Sequence, residues 1–343
     1  MVGKGEEKTL DPYPIIELFM GLWKAGVVKT AIEMDVFNIL SAGHQTVPHV
    51  AQTMGASERG TRILLDALCG LDLLRKEADG YFLSSLAARF LCKESPFCVS
   101  NLSLGFAAPW EWSAFGNLAD AVRSGRPNVF TYMEGKENEC LEAMVSAIAT
   151  LGIPTAETIC NLLEIGSEKN QKLRVLDVAC GSGVYGYTIA RRNPQAQVVG
   201  LDRRNILKIA ARQANELGVT EQVQHRPGNI LSLRYGQEEF DLVIISNVFH
   251  QYNPQHVRQV LDKAHEALRP GGRIVINDFV ADDKRQQATD ALLMSVDMLI
   301  YTPDGEAHSL LEYRTWLEEA GFVDMAYHSL PQNLTSVFIA RKP

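Results

Sequence analysis

The stretch VLDVACGSGVYG, residues 175–186, decides the fold class of this chain. An apolar, strand-like run leads into a glycine-rich turn, and a helical segment follows. Gly181, Gly183 and Gly186 fit the pattern G-x-G-x-x-G, and Asp202 stands about 20 residues further on, at the spacing of a ribose-binding acid. The pattern predicts a nucleotide-binding strand–turn–helix unit. A tight turn that binds no ligand is the alternative.

Around this stretch the chain alternates between strands and helices. From residue 172 onward, short β-rich runs are separated by helical segments, which is typical of βαβ units in a parallel sheet covered on both faces. The last two strand-like runs have only a short connection and must be antiparallel. These runs cover residues 173–179, 197–201, 223–227, 240–246, 272–279, 323–328 and 335–340.

Composition sets limits on the class of protein. The 343 residues are 46% hydrophobic, and 33 Lys+Arg against 41 Asp+Glu give a net charge of −8. These fractions exclude whole-chain disorder, and the length of the chain suggests two domains. A negative chain does not favour binding to nucleic acid. Six cysteines without C-x-x-C pairs indicate a reduced protein. Because no unbroken apolar run reaches ~18 residues, we expect a cytoplasmic protein with no membrane segment.

The first hundred residues have the outline of a winged helix. Helical segments are followed by a helix over 57–74 and two short strand-like pieces. A DNA-reading helix needs a basic face, yet this helix mixes Arg59 and Arg62 with Glu58 and Asp66. A packing or dimerisation module is therefore favoured over DNA binding.

Three features favour S-adenosylmethionine over NAD as the nucleotide. Asp177 precedes the glycine turn, where it would repel a pyrophosphate but attract a sulfonium and an ammonium group. A Pro-Gly-Gly turn at residues 270–272 leads into a later strand. The closing antiparallel pair is unusual for a dehydrogenase.

With these motifs the sequence resembles the class I S-adenosylmethionine-dependent methyltransferases. More narrowly it resembles the small-molecule O-methyltransferases that include the plant caffeate and isoflavone enzymes and the animal hydroxyindole enzyme. The resemblance covers nearly the whole chain. It implies an α/β fold with a Rossmann-like seven-stranded sheet, mostly parallel with an antiparallel last strand. It also implies a winged-helix dimerisation domain over 1–104, a catalytic domain over 105–343 with connecting helices to 165, and a homodimer.

The resemblance also implies a set of residues that bind S-adenosylmethionine. Asp202 matches the family's ribose-binding acid. Asn229 stands at the adenine-side acid position, where it keeps an acceptor without the charge. Ser246 replaces a lysine of the plant members. The full predicted set is Asp177, Gly181, Ser182, Gly183, Asp202, Arg203, Asn229, Ile230 and Ser246.

Two histidines are candidates for the general base of O-methylation. His256 is favoured, because its spacing to the helix that follows matches the plant enzymes' base. His250 matches the histidine of the family's His-Asp-Trp segment, although Gln251 replaces the Asp. Asp283 and Glu312 resemble the acids that orient the base, with Asp282 as the alternative to Asp283 because the register of this pair is ambiguous. Glu312 also fits a capping box with Ser309, so a structural role is the alternative.

Apolar side chains suggest a flat, small-molecule acceptor, although helix packing would explain the same residues. These are Phe106, Trp110, Trp112, Tyr252, Met294 and Met298, and the resemblance adds Met144, which matches a methionine near cofactor and substrate in the family. The scheme needs no metal, and no ligand spacing for one is visible. The alternatives are a C- or N-methyltransferase, a non-methylating member of the same fold, and a ligand-responsive winged-helix regulator.

Overall fold

The computed structural model describes residues 11–43, 45–78, 80–127, 137–166, 172–330 and 334–343, with side chains in the helix that starts at 137 described from residue 142. The chain divides into two compact units, residues 1–108 and 109–343. The sequence analysis predicts this boundary slightly earlier, between residues 104 and 105.

The N-terminal unit is mainly helical. Ser57 begins one of its helices by accepting a hydrogen bond from the Gly60 amide at 3.1 Å, as N-cap residues do. A helix–turn–helix followed by a hairpin gives the predicted winged-helix outline. The elements are α1 (Tyr13–Glu33), α2 (Val36–Ser41), β1 (Gln45–Thr46), α3 (Val47–Met54), α4 (Glu58–Gly70), β2 (Leu74–Glu77), β3 (Gly80–Leu83), α5 (Ser85–Phe90) and α6 (Ser103–Phe106), with antiparallel strands in the order β1-β3-β2.

Helix α1 leaves a large apolar surface uncovered in the single chain. Leu18, Phe19 and Trp23 are 80%, 78% and 67% exposed. Contiguous apolar surface of this kind marks an interaction face.

The C-terminal unit is built on a seven-stranded sheet in the order β11-β12-β8-β7-β4-β5-β6. Strand β12 is antiparallel to both of its neighbours, and the other pairs are parallel, which confirms the predicted sheet. The elements are α7 (Pro109–Gly116), α8 (Leu118–Ser124), α9 (Glu137–Leu162), β4 (Leu173–Val178), α10 (Val184–Arg192), β5 (Ala196–Asp202), α11 (Ile206–Glu216), β6 (Val223–Pro227), β7 (Phe240–Ser246), α12 (Pro254–Ala267), β8 (Leu268–Asp278), β9 (Val280–Ala281), α13 (Thr289–Tyr301), β10 (His308–Ser309), α14 (Leu310–Glu319), β11 (Val323–Ser329) and β12 (Ser336–Arg341).

Apolar cores lie on both faces of this sheet. Helices α9, α10 and α11 pack on one face, and α12 and α14 pack on the other. One stretch of α9, Glu142–Leu162, is long and apolar enough to cross a membrane by length and composition alone. Its Ala156, Ile159 and Cys160 are buried in the sheet's core, as expected for a core helix.

The strand register brings the functional region to one edge. Asp177 near the end of β4 pairs with Ile244 of β7, and Ser246 at the end of β7 pairs with Asn277 of β8. The carboxyl ends of the parallel strands therefore meet at the same edge, where ligands bind in such folds.

Candidate active site

The glycine turn between β4 and α10 has a conformation that requires glycine. Gly181 and Gly183 have φ angles of +57° and +83°, in the left-handed region. A Cβ atom on Gly183 would lie 2.1 Å from the Tyr187 ring. That ring is held from its other end, since the Tyr187 hydroxyl lies 2.7 Å from Nε2 of His225. The turn therefore presents bare backbone toward the sheet edge.

Two carboxylates border this turn. Asp177 accepts a hydrogen bond from the Gly186 amide at 3.0 Å, and burial raises its pKa to about 7. Asp202 accepts from the amides of Gly181 and Arg203 at 2.8 and 2.7 Å, and burial raises its pKa as well. Acids in such surroundings favour a cationic ligand over a phosphate. The turn and its acids therefore fit S-adenosylmethionine, which carries a sulfonium and an ammonium and no phosphate.

The other predicted cofactor residues follow the ends of neighbouring strands. Ser182 is buried in the turn after β4, and Ser246 ends β7. After β6, Asn229 is exposed and its side chain accepts from the Leu231 amide at 2.8 Å, whereas Ile230 is buried. The structure therefore brings the predicted set to one edge of the sheet.

His250 lies in a short turn after β7, and it is bonded to an acid that sequence reasoning missed. Its Nδ1 lies 2.5 Å from Oδ1 of Asp278, the last residue of β8, and both side chains are buried. Asp278 also accepts from the amides of Phe249 and Phe279, each at 2.8 Å. Burial alone would raise the pKa of Asp278, but attraction to His250 and these hydrogen bonds keep it below the usual value.

The start of β10 and the residues just before it support the same turn. Nε2 of His308 lies 3.1 Å from the Phe249 carbonyl and 3.0 Å from that of Tyr252, so its N–H donates to these carbonyl oxygens. A Cβ atom on Gly305 would come within 2.5 Å of the His250 carbonyl oxygen. These close contacts restrict the orientation of the His250 backbone.

The favoured histidine, His256, has a different environment. It lies in the first turn of α12, where its amide donates to the Asn253 side chain at 3.0 Å. Its ring is half-buried and meets Tyr252 edge to face, with the ring centroids 5.9 Å apart.

The two acids proposed to orient the base make other contacts. Asp283 accepts from the Leu311 amide at 2.9 Å. Glu312 closes the capping box with Ser309 and forms an ion pair with Arg285 at 3.3 Å. No hydrogen bond or ion pair joins either acid to His250 or His256, so the expectation that they orient the histidine needs correction. Asp283 follows β9 and contacts the first turn of α14, and Glu312 lies in that turn, whereas Asp278, the last residue of β8, contacts the histidine directly.

The predicted acceptor residues occupy several elements. On α13, Met298 is buried and Met294 packs against a small core that includes Phe279. Trp110 packs against Ile300 of the same helix. Tyr252, Trp112 and Met144 are partly buried in the C-terminal unit, and Phe106 is 52% exposed in the N-terminal unit.

A second acid that the sequence analysis missed lies on α13. Asp297 is partly buried, and burial raises the pKa of its carboxyl to about 6 although the charge of His250 acts to lower it. Helix α13 packs against the turn that contains His250. Among the described residues, no group of three or more His, Cys, Asp or Glu side chains is arranged to hold a metal ion.

Comparison with known proteins identifies the family. The model of the O-methyltransferase domain matches residues 115–323, more than half of the chain, and that of the O-methyltransferase dimerisation domain matches residues 16–93. A 3-hydroxy-5-methyl-1-naphthoate 3-O-methyltransferase of Streptomyces sahachiroi is 26% identical over 321 residues, covering 90% of this chain and 89% of that protein. Mouse acetylserotonin O-methyltransferase is 27% identical over 324 residues, covering 90% and 83%.

Solved structures agree with the fold. A Nostoc punctiforme protein is 29% identical with a TM-score of 0.88, covering 98% of this chain and 100% of that one. Human N-acetylserotonin methyltransferase in complex with S-adenosylmethionine is 22% identical with a TM-score of 0.83, covering 99% of each. The predicted family, fold and cofactor are confirmed: the chain belongs to the S-adenosylmethionine-dependent O-methyltransferase family and is an enzyme of that family.

Proposed function

We propose that this enzyme methylates a hydroxyl group of a small aromatic acceptor, with His250 as the general base. The observation that carries this proposal is the buried pair of His250 and Asp278, 2.5 Å apart at the carboxyl edge of the sheet. His256 has no acid partner of this kind, so we assign the base to the histidine that was the alternative in the sequence analysis.

The pair determines which ring nitrogen can accept a proton. Asp278 is ionised, because its pKa is lowered, and it therefore takes a hydrogen bond from the proton on Nδ1. Nε2 of the same ring then keeps its lone pair, which is the state that a base requires. The Nδ1 bond favours this tautomer in the same way as the acid of a catalytic triad.

The energetics require help from this acid. A phenol has a pKa of ~10 and an imidazole ~6.5, so complete proton transfer before methylation costs about 5 kcal/mol. A charge-assisted hydrogen bond to the imidazolium offsets roughly 1.5–3 kcal/mol. Removing the hydroxyl proton during methyl transfer, and not before it, lowers the rest of this free-energy cost.

The residues around the glycine turn hold the methyl donor. S-adenosylmethionine supplies an electrophilic methyl group when bound. Asp202 has the position and chemistry to accept from ribose hydroxyls, while Asp177 and the turn favour the cationic end. Positioning the acceptor oxygen in line with the methyl group supplies much of the rate.

The acceptor class is inferred from the relatives and the side chains together. The names of the relatives give a hydroxynaphthoate and acetylserotonin as acceptors, and one relative is an 8-O-methyl transferase of tetracenomycin polyketide synthesis. Trp110, Met294 and Met298 offer apolar and aromatic surface in the same unit as His250. A flat aromatic hydroxyl compound fits both observations.

The proposal is tested with isotopically labelled methyl donor and a panel of naphthols, hydroxyindoles and hydroxyanthraquinones. Mass spectrometry should find label on oxygen. His250→Ala should lower kcat by ~10²–10⁴ with partial recovery at high pH, whereas His256→Ala, the matched control, should remain near parental activity. Label on carbon or nitrogen, or the opposite result for the two histidines, would contradict the proposal.

We also propose a cytoplasmic homodimer that does not bind nucleic acid. The exposed face of α1 lies within the part of the chain that matches the dimerisation domain. On α4, Arg62 is paired with Asp66 at 3.1 Å, and Lys76 of the hairpin pairs with the same acid at 2.8 Å. This pairing offsets the charges of Arg62 and Lys76, which weakens their attraction to a phosphate backbone. A gel shift with genomic fragments at moderate salt should be negative.

A further inference from the structure

Asp297 is a charged residue in an otherwise apolar part of α13. From Ala291 to Tyr301 the helix reads ALLMSVDMLIY, in which Asp297 is the one ionisable carboxyl. Among the described residues, no hydrogen bond or ion pair engages this carboxyl, although it is partly buried. An unpaired, partly buried charge costs stability, so its presence suggests a role in binding.

The position of Asp297 relates it to the reaction. Helix α13 packs against the turn of residues 249–251, and the charge that acts on Asp297 is that of His250. The Nδ1 side of that imidazole is already occupied by Asp278. Asp297 is thus a second acid on the helix that packs against the same turn, and none of the described residues hydrogen-bonds to its carboxyl.

We propose that Asp297 is a specificity residue, which accepts a hydrogen bond from a second donor group of the acceptor, a hydroxyl or amino group adjacent to the hydroxyl that is methylated. This inference rests on the proposed function. The reacting oxygen of the acceptor must come within ~2.6–3.2 Å of the base. A substituent on the neighbouring ring carbon is thereby brought toward the acids around that base. An acceptor without this donor would leave the Asp297 carboxylate without a hydrogen bond, so the site discriminates against such an acceptor.

The apolar surroundings strengthen this discrimination. Met294 and Met298 lie within one turn of Asp297 on the same helix, and a thioether sulfur is only a weak hydrogen-bond acceptor. Among these three side chains, Asp297 is therefore the strong acceptor for a substituent that donates a hydrogen bond. Hydrogen bonds to charged groups are stronger than neutral ones, and we expect a preference of about tenfold or more.

The test measures binding to the full-length enzyme saturated with S-adenosylhomocysteine. Isothermal titration calorimetry compares 2-naphthol with 2,3-dihydroxynaphthalene and 3-amino-2-naphthol. The unmodified enzyme should bind one or both of the disubstituted probes about tenfold or more tightly than 2-naphthol. The tighter of the two identifies the donor that is preferred.

The variants separate recognition from packing. Asp297→Leu should abolish the preference while it leaves the affinity for 2-naphthol unchanged, and Asp297→Asn, which keeps an acceptor oxygen, should retain part of it. Asp290→Asn, an exposed acid in the first turn of the same helix, is the matched control and should behave like the parent.

Several results would overturn the inference. These are equal affinities in the parent, failure of the probes to bind, a preference that persists in Asp297→Leu, or an equal loss for all probes in that variant. Methyl transfer to the hydroxyl panel is scored separately. If the enzyme methylates aromatic hydroxyls but shows no preference for a neighbouring donor, this inference fails and the proposed function stands.

Discussion

Replacing Asp278 by Asn tests how the buried pair controls the base. In the native site the carboxylate accepts from Nδ1 of His250 through one oxygen and from the Phe249 amide through the other. An asparagine can keep its oxygen on the Phe249 amide only by turning its NH₂ group toward Nδ1. That group is a donor, so Nδ1 would have to become an acceptor. The ring proton would then move to Nε2, which could no longer accept a proton.

The size of the effect follows from these contacts. Loss of a charge-assisted hydrogen bond of about 1.5–3 kcal/mol corresponds to roughly 10- to 150-fold in rate, at ~1.36 kcal/mol per factor of ten. The change of tautomer adds to this, and the corresponding change in serine protease triads costs about 10⁴. We therefore expect kcat to fall by ~10²–10⁴ in Asp278→Asn.

The assay is methyl transfer from labelled S-adenosylmethionine, followed across pH with the best acceptor from the panel. Raising the pH toward the acceptor's own pKa should recover part of the rate, because an ionised hydroxyl needs no base. Calorimetry should show unchanged affinity for S-adenosylmethionine. Asp283→Asn, which removes an acid with no contact to either histidine, serves as the control. If Asp278→Asn keeps parental kcat while Asp283→Asn loses it, the assignment of the pair is refuted.

Three further changes test other parts of the molecule. Gly183→Ala should weaken S-adenosylmethionine binding at least tenfold by calorimetry, because the new Cβ atom meets the Tyr187 ring; Gly218→Ala, with a similar φ of +68° and open space around it, should not. The raised pKa of Asp177 means that its ionisation opposes folding, so the free energy of unfolding should fall as pH rises from about 4 to 7. Asp177→Asn should therefore raise that free energy at pH 8 by a few kcal/mol in urea denaturation, at ~1.4 kcal/mol per pKa unit, with little gain near pH 4, while cofactor affinity decreases. Phe19→Glu should convert a dimer of the 38.0 kDa chain into a monomer in light scattering, and a parent that is already monomeric at micromolar concentration would contradict the dimer.

The sheet could be predicted from the sequence because its strands are buried on both faces and have strong apolar patterns. Strand β7 has the predicted bounds, Phe240–Ser246, and the closing pair is antiparallel as its short connection required. Strand β8 begins at Leu268, earlier than expected, because Leu268 already pairs with Phe240; the register then shifts across the Pro-Gly-Gly segment before Arg273 pairs with Leu242.

The histidine and its acid were harder to predict. The bond from His250 to Asp278 joins the turn after β7 to the last residue of β8, across a whole crossover helix, and it depends on how the ends of β7 and β8 align. Spacing along the chain does not report that alignment, and it favoured His256. A signal for Asp278 was present, since it ends the apolar run RIVIND. Asp297 also had one, as the single acid within the apolar stretch 291–301 of its helix.

The pairing of the two short strands β9 and β10 has a consequence for how this enzyme can change. Val280 and Ala281 pair in parallel with His308 and Ser309, so residues 282–307 form a connection whose two ends lie side by side. Asp278 lies before this connection and His308 follows it. The two side chains that hydrogen-bond to the His250 turn from these positions are therefore outside residues 282–307. Under the proposed function, substitutions along α13 would change which acceptor binds, while His250, Asp278 and His308 keep their positions. Related enzymes with this arrangement could therefore differ in their acceptor while they keep the same residues for proton transfer.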